Sequence, residues 1–368
     1  MRLGKDEMPD EPRPHVAPME GKGAYNTHAA LQATGGALAV PWLEEAARRI
    51  TLDSAERPLV IADYGSSQGK NSLAPLRAAI SVLRTRISRE RPILVCHTDL
   101  PANDFSELFD VLEDDPNSYL RGEPHVFPSA IGRSFYRELF PREHVDLGWS
   151  SYAALWLSRI PRSIPGHFYI PCASGTVRAE FDLQANEDWE LFLSLRASEL
   201  RPGGRLVVAL PSLQDDGSTV WRAIMDDANA VLSEMVALGT ISAEERQAMT
   251  MANCPRRQKD LLAPFSETGE FQRLIVEHCD TSVAPDAAWA EYERDRDALL
   301  LAQKRALFFR ATFVPSLLPA LSPSRSAVER QTFADRLKEG LQRRLLDHPV
   351  PIDQLAGTIV LAKQVGTK

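Results

Sequence analysis

The sequence predicts an α/β fold built on a mostly parallel, doubly wound sheet, and three observations carry that expectation. Short apolar runs that read as buried strands alternate with longer amphipathic runs that read as helices, the order that produces parallel strands joined by helical crossovers. The run at 58–62 (PLVIA) leads into a glycine-bearing turn, DYGSSQGKNS, ahead of a helical stretch. Such a turn can cradle a nucleotide-like ligand at the carboxyl edge of the sheet. A second run, 92–97 (PILVCH), is followed closely by Asp99, a position from which a carboxylate can accept both hydroxyls of a ribose.

In chain order, residues 1–20 are rich in proline and charge and read as a flexible arm. Residues 24–34 read as a short helix ended by Gly35 and Gly36. The strand at 58–62 is followed by a helix over 72–87, then by the strand at 92–97 and a helix over 105–113 capped by Asn103 or Asp104. A strand from His144 through Leu147 enters SSYAALWLSRIP, whose spacing is helical as far as Pro161. A helix over 187–200 gives way to an RPGG turn and the strand RLVVALP. Helices then follow at 219–238 and 242–252, the second opened by a Ser242–Glu245 capping box. One long charged helix covers 286–309, an amphipathic helix covers 326–344, and GTIVLAK at 357–363 is the last strand. The units expected are the arm (1–20), a core (21–217), a mainly helical substrate cap (218–325) and a return to the core (326–368).

Composition excludes several classes. Lys and Arg number 42 against 50 Asp and Glu, a formal charge of −8. There is thus no general pull toward nucleic acid or anionic lipid. The basic stretch RTRISRER reads as a solvated helix face. Cys96, Cys172, Cys254 and Cys279 are scattered without a CxxC pair, which argues against a zinc site or disulfide framework. No run of 18 apolar residues and no signal-peptide core stand out, so a cytoplasmic protein with neither membrane nor nucleic acid as partner is expected.

Within the glycine turn, Gly65 and Gly69 allow close approach of a ligand to the backbone. Ser66, Ser67 and Gln68 stand between them, so the pattern is not GxGxxG. Lys70 does not complete a phosphate-binding GxxxxGK[ST] loop either. S-adenosylmethionine has no phosphates and tolerates such a looser, polar turn. Asp99 suits its ribose, although NAD uses the same geometry and a solvated strand-end aspartate is common. Asp63 can meet the ammonium of an amino-acid tail or simply cap the loop.

Five segments, in order, resemble the SABATH methyltransferases, which act on salicylate, benzoate, jasmonate and related acids. MEGKGAYNTHAALQ resembles the family's N-terminal region, and IADYGSSQGKNSL resembles ADLGCSSGPNTL. HTDLPANDFSELF matches the NDLPxNDFNxLF block. SAIGRSFYRELFP followed by WSSYAALWLSRIP resembles PGSFYxRLFP and HSSYSLMWLSxVP, and LRPGGRLVVALP resembles LVPGGRMVL. The resemblance covers about 20 to 364 and implies a Rossmann-like class I methyltransferase fold with a helical cap.

It also implies roles. Tyr25, Asp63, Gly65, Ser66, Asn71, Asp99, Leu100, Ser134 and Phe135 fall on cofactor positions. Gln32 falls on the glutamine that grips the substrate carboxylate, and Tyr152 and Trp156 fall on the active-site tyrosine and tryptophan. Read from the residues themselves, Tyr152 and Trp156 lie four apart on one expected helical face, where two interior aromatics are the bland alternative. Trp156 Nε1–H only donates and Gln32 offers two amide donors, so together they can fix one carboxylate oxygen. Trp149, Trp221 and Met225 are expected to line the substrate pocket. Departures from the family pattern fall at Ala29, Ser66, Lys70 and Trp149, and the stretch 253–265 fits the cap poorly.

The expected activity is methyl transfer from S-adenosylmethionine to a small aromatic or aliphatic carboxylic acid, leaving S-adenosylhomocysteine. N- or hydroxyl O-methylation, an NAD-dependent oxidoreductase and a non-catalytic cofactor-binding protein are the alternatives. His28 reads as a local structural or exposed residue and His97 as part of the cofactor wall, neither as a base. Magnesium is left open, because the family sometimes uses it and no cation cluster stands out. A homodimer rests on the resemblance alone.

Overall fold

The computed structural model describes residues 18–28, 30–53, 57–265 and 267–365. The expected arm up to residue 17 and the departure at Ala29 lie outside that set. Among the described residues, eight strands form one sheet: β1 (Leu59–Tyr64), β2 (Ile93–Asp99), β3 (Val126–Gly132), β4 (Val145–Ser151), β5 (Leu200–Pro211), β6 (Glu270–Phe271), β7 (Leu274–Ala284) and β8 (Gln354–Lys363). Their spatial order is β3-β2-β1-β4-β5-β8-β7-β6. The pairs from β3 to β5 are parallel, and those from β5 to β6 are antiparallel. The sheet is the mostly parallel one that the alternation predicts. Chain direction across it reverses between β1 and β4, and ligands of such sheets bind in the crevice that this reversal opens at the carboxyl ends.

Every residue of β1 is buried, because helices cover both faces of a central parallel strand and remove any polar alternation. After α1 (Ala24–His28), the helices α2 (Ala30–Ala37), α3 (Val40–Arg49), α4 (Lys70–Arg84) and α5 (Phe105–Asp114) lie on one face as the chain is followed. Leu43, Leu76 and Leu108 from the last three pack with Ile61, Val95 and Leu147. Against the other face, α6 (Gly175–Glu199) packs Trp189, Phe192 and Leu193 on Val60, Leu206 and Val208. The remaining helices are α7 (Arg222–Ala237), α8 (Ala243–Ala248), α9 (Gln258–Leu262), α10 (Ala287–Asp295), α11 (Ala298–Leu317) and α12 (Ala327–Asp347). A third core joins α7, α11 and α12 around the segment that follows β4, with Phe168, Trp221, Phe309 and Phe333 inside it. No helix among the described residues is long and apolar enough to cross a membrane.

Four expectations about local structure are corrected. SSYAALWLSRIP is not a helix. β4 runs on to Ser151, Tyr152 N donates to Ala209 O at 2.8 Å, and Tyr152 itself takes a left-handed φ of 57° that turns the chain. Leu157 N then donates to Ala252 O and Cys254 N to Leu155 O, so this backbone is satisfied by a distant segment rather than by its own preceding turn. Gly35 and Gly36 do not end a helix; both lie inside α2. A Cβ on Gly35 would sit 1.7 Å from the Tyr152 hydroxyl, and one on Gly36 would sit 2.6 Å from Ser151 Oγ. Both are glycine because β4 and its exit press against the helix.

The RPGG stretch lies within β5, where the pairing with β4 shifts register between Val145 and Leu147. The helix expected over 286–309 is two helices, broken at Arg296 (φ 55°) because Asp297 caps a new start by accepting from Leu300 N at 2.9 Å. Strands β6 and β7, inside the stretch expected as a helical cap, pair into the sheet. The Ser242–Glu245 capping box forms as expected, and Asp104 rather than Asn103 caps α5.

One buried ion pair ties the sheet to the loop beyond β3. Glu199 Oε1 accepts from Arg196 Nη2 (2.8 Å), Leu139 N (2.8 Å) and Phe140 N (3.3 Å), while Oε2 accepts from the Tyr64 hydroxyl (3.0 Å). Arg196 also donates to Phe135 O and Arg137 O, and its guanidinium lies 4.4 Å from the Tyr64 ring centre. Removing one partner leaves a buried charge uncompensated. Glu199→Ala is therefore expected to cost about 3–5 kcal/mol of stability, measured by urea unfolding; a cost under about 1 kcal/mol would contradict the pairing as a structural tie.

Candidate functional site

Two adjoining cavities open at the carboxyl ends of β1, β2 and β4. The outer one, about 570 Å³, is lined by Gly65, Ser67, Asp99, Leu100, Ser134, Phe135, Ser151 and Ala153, among others. The inner one, about 40 Å³, is walled by Gln32, Leu155, Trp221, Met225, Asn253, Thr312, Phe313 and Gln354, among others. Met19, Tyr25, Tyr152 and Trp156 border both cavities. A group passing from one cavity to the other would pass among these four side chains.

The glycine turn shapes the floor of the outer cavity. Gly65 has φ 87°, its N–H and that of Ser66 both donate to Thr98 O, and its missing side chain leaves room for Ala153, which a Cβ would meet at 2.1 Å. Asp99 closes the turn from the other side: Oδ2 accepts from Ser67 N and Oδ1 from Leu100 N, each at 2.7 Å. Enclosure raises its carboxyl pKa to about 6 despite those two donors, with the nearby Asp63 charge adding to the rise. The Tyr25 hydroxyl is pushed well up, first by burial and then by the charge of Asp99, against a hydrogen bond from Asn71.

Of the expected cofactor residues, Tyr25, Gly65, Asp99, Leu100, Ser134 and Phe135 line the outer cavity. Asp63, Ser66 and Asn71 do not. Asp63 Oδ2 bonds His97 Nδ1 at 2.8 Å, and His97 Nε2 bonds the Tyr119 hydroxyl at 2.8 Å, all three being buried, so His97 is not the cavity-wall residue that the sequence suggests. Asn71 hydrogen-bonds the Tyr25 hydroxyl, and Ser66 is buried behind the turn with its hydroxyl unpartnered among the described residues. Ser67 is the serine that faces the cavity.

Of the expected substrate residues, Gln32, Tyr152, Trp156, Trp221 and Met225 line the inner cavity. Trp149 does not. It is 1% exposed and packs with the α3 and α4 side of the sheet, because a side chain within β4 must point into one core or the other. Tyr152 and Trp156 share the cavity although no helix joins them. Gln32 Nε2 lies 3.3 Å from Thr312 Oγ1, while Gln32 Oε1 is buried without a partner among the described residues. Tyr136 OH donates to Trp156 O at 2.6 Å and holds that backbone in place. His28 lines neither cavity, and its pKa is lowered, chiefly by burial.

Sequence reasoning missed Met19, Asn253, Thr312 and Gln354. Gln354 links two aromatics by donating to the Tyr152 hydroxyl and accepting from Trp221 Nε1 at 2.9 Å. Met19 belongs to a strap that crosses the site: Gln68 Nε2 donates to Glu20 O (2.6 Å), Glu20 N donates to Ala311 O (3.1 Å), and Glu20 pairs with Arg310. No local pattern announces these contacts; only the extension of β8 three residues ahead of 357 signals Gln354.

His167, Cys172 and Asp226 bring their donor atoms within 4.8 Å of one another. They do not make a magnesium site, which needs oxygen ligands. His167 Nδ1 accepts from Phe168 N and Tyr169 N, so the ring proton sits on Nε2 and faces Asp226 at 3.1 Å.

Known proteins place the chain in a family. Residues 13–349 match a family model described as SAM dependent carboxyl methyltransferase. A Fusarium protein named Methyltransferase LUC1 is 32% identical over 238 residues, 64% of this chain and 62% of that protein. Salicylate carboxymethyltransferase of Clarkia breweri is 28% identical over 298 residues, 77% of this chain and 79% of that protein. Among solved structures, a loganic acid methyltransferase with S-adenosylhomocysteine superposes with a TM-score of 0.76 at 20% identity, covering 94% of this chain and 99% of that one. That likeness speaks for the fold.

Proposed function

Because the chain belongs to the family of S-adenosylmethionine-dependent carboxyl methyltransferases, we propose that it forms the methyl ester of a small carboxylic acid held in the inner cavity. The observation that carries this reading is the junction of the two cavities between Tyr25, Tyr152 and Trp156, with the amide of Gln32 on the acceptor side.

The outer cavity fits the cofactor. Its volume falls in the range of ligand sites, the turn at Gly65 gives backbone access, and Asp99 offers carboxylate oxygens where a ribose needs acceptors. Ser134 and Phe135 wall the space for an adenine. When bound, S-adenosylmethionine supplies an electrophilic methyl on a sulfonium centre.

On the acceptor side, a carboxylic acid is already ionised near pH 7, so no general base is required. Trp156 Nε1–H and the Gln32 amide donate to one carboxylate oxygen and leave the other facing the junction. Phe308, Phe313, Met225 and Leu155 exclude water from it. Catalysis is then chiefly placement, which can supply several kcal/mol, helped by the faces of Tyr25 and Tyr152 beside the sulfonium. S-adenosylmethionine bound there would supply the methyl to the free carboxylate oxygen and leave as the neutral thioether S-adenosylhomocysteine, so that the sulfonium and carboxylate charges would cancel.

The test is a methyl-transfer assay with S-adenosylmethionine and a panel of carboxylic acids, matched amines and matched phenols. Methyl esters from the acids alone are expected. Turnover confined to amines or phenols would overturn the acceptor.

Asp99 gives this reading a pH dependence. Its carboxyl pKa of about 6 lies above the ordinary 3.8, so the charged form that accepts ribose hydroxyls is fully present only above pH 6. Affinity for S-adenosylhomocysteine should weaken as pH falls through 6, approaching tenfold per unit below it. Titration calorimetry between pH 5 and 8 checks this, and an Asp99→Asn variant should bind weakly with the slope flattened. A flat profile in the native protein would remove Asp99 from the cofactor site.

A further inference from the structure

Gln354 is the buried amide between two aromatics of the inner cavity, and ester formation as described leaves it without a task. It is 3% exposed, opens β8, and shares that cavity with Tyr152 and Trp221. Its two amide ends have different partners. Oε1 accepts from Trp221 Nε1 at 2.9 Å, and Nε2 donates to the Tyr152 hydroxyl.

The direction of this chain of bonds is fixed by its first member. An indole N–H only donates, so the amide end that meets Trp221 must be the oxygen. The end left for Tyr152 is the NH2 group, and the Tyr152 oxygen is its acceptor. The phenol keeps its own proton: burial pushes its pKa well above the ordinary value, against the bond from Gln354 and with the neighbouring Tyr25 adding to the rise. That proton has no acceptor among the described residues. A buried donor without a partner is costly, and a ligand at the junction can supply one. The oxygen itself cannot swing away. Tyr152 N is held by Ala209 O at 2.8 Å, and a Cβ on Gly35 would stand 1.7 Å from the hydroxyl. Only rotation of the O–H about its own C–O bond is left, and a donor seated on one side of the oxygen turns the proton to the other.

We propose that Gln354 is a positioning residue for ester formation: by filling the accepting side of the Tyr152 oxygen, it keeps that hydroxyl a donor toward the acceptor carboxylate at the junction. This rests on the ester-forming reading above. Gln354 acts through Tyr152, and Trp221 acts through Gln354 by holding the amide in one orientation. A flipped amide would present Oε1 to Tyr152 and draw its proton away from the junction. A bond donated to the carboxylate is made before methyl transfer as well as during it, so its loss raises KM and leaves kcat nearly unchanged.

The test measures KM and kcat on the full-length protein at saturating S-adenosylmethionine, with the carboxylic acid that the native protein esterifies fastest. The variants are Tyr152→Phe, Gln354→Met and Trp221→Phe, the last two also combined with Tyr152→Phe. Tyr152→Phe is expected to raise KM by about tenfold, the size of a hydrogen bond to a charged group. Gln354→Met and Trp221→Phe should each raise it by about threefold to tenfold, with kcat within about threefold of native. Added to Tyr152→Phe, neither should raise KM further by more than about twofold, because no hydroxyl is left to orient. S-adenosylhomocysteine binding by calorimetry reports that each variant is folded. Native KM in Tyr152→Phe or in Gln354→Met, or losses from Gln354→Met that add in full to those of Tyr152→Phe, overturn the inference while leaving ester formation standing. Absence of ester from every acid overturns the ester-forming reading and this inference with it.

Discussion

Replacing Gly65 with alanine is expected to weaken binding of S-adenosylhomocysteine by at least about a hundredfold, close to 2.7 kcal/mol. Two costs combine. The φ of 87° is one that side chains rarely adopt, and the new Cβ would meet Ala153 Cβ at 2.1 Å. Ala153 cannot retreat cheaply, because it lies between Tyr152, anchored to Ala209, and Trp156, whose carbonyl is held by Tyr136. Relief of the clash must shift the wall that both cavities share. Gly166→Ala is the matching control, since Gly166 has φ 72° with nothing within 4 Å of its added Cβ. It carries the conformational cost without the clash. Calorimetry on both variants separates the two terms; binding within about threefold of native in Gly65→Ala would show that the turn does not shape the cofactor site.

Removing either donor at the junction is expected to lower kcat/KM by about 10²–10³, the range for a hydrogen bond made to charge in a dry site. Gln32→Leu keeps roughly the volume and deletes the amide. Trp156→Phe keeps an aromatic wall and deletes Nε1–H, while the bond from Tyr136 to the Trp156 carbonyl is a backbone contact that survives. Binding of S-adenosylhomocysteine should fall far less than turnover in both. Gln32 also meets Thr312, so Thr312→Val distinguishes loss of the clamp from loss of its support: it should cost less than Gln32→Leu. Turnover within about threefold of native in both donor variants would remove the pair from carboxylate capture.

Much of the outer cavity was legible in the chain. β1, the glycine turn and the start of α4 are consecutive, and Asp99 ends the next strand. Each is a local signal, and the parallel sheet brings their carboxyl ends together by topology alone. Asp63 and Ser66 show the limit of such signals. They stand in the right turn, yet one is bonded to His97 and the other faces away. Period alone cannot say which side of a turn meets the ligand.

The inner cavity was less legible. SSYAALWLSRIP carries apolar residues at helical spacing because it lies between cores, not because its backbone closes on itself. Its hydrogen bonds go to 252 and from 254, and no window of the sequence contains both sides of that pairing. The same gap misplaced Trp149, whose burial depends on what the sheet faces rather than on the motif around it.

The sequence by itself determined the alternation of strands and helices, the glycine turn, the capping signals of α5 and α8 and the family to which the chain belongs, because each is written in residues near one another. Only the tertiary structure decided which side chains meet at the junction. Gln32, Trp156, Asn253, Thr312 and Gln354 come from five separate parts of the chain and line one small cavity. Their meeting is set by long-range packing of α11, β8 and the strap at Met19 over the sheet edge, and contact between distant residues leaves no period for a sequence to display.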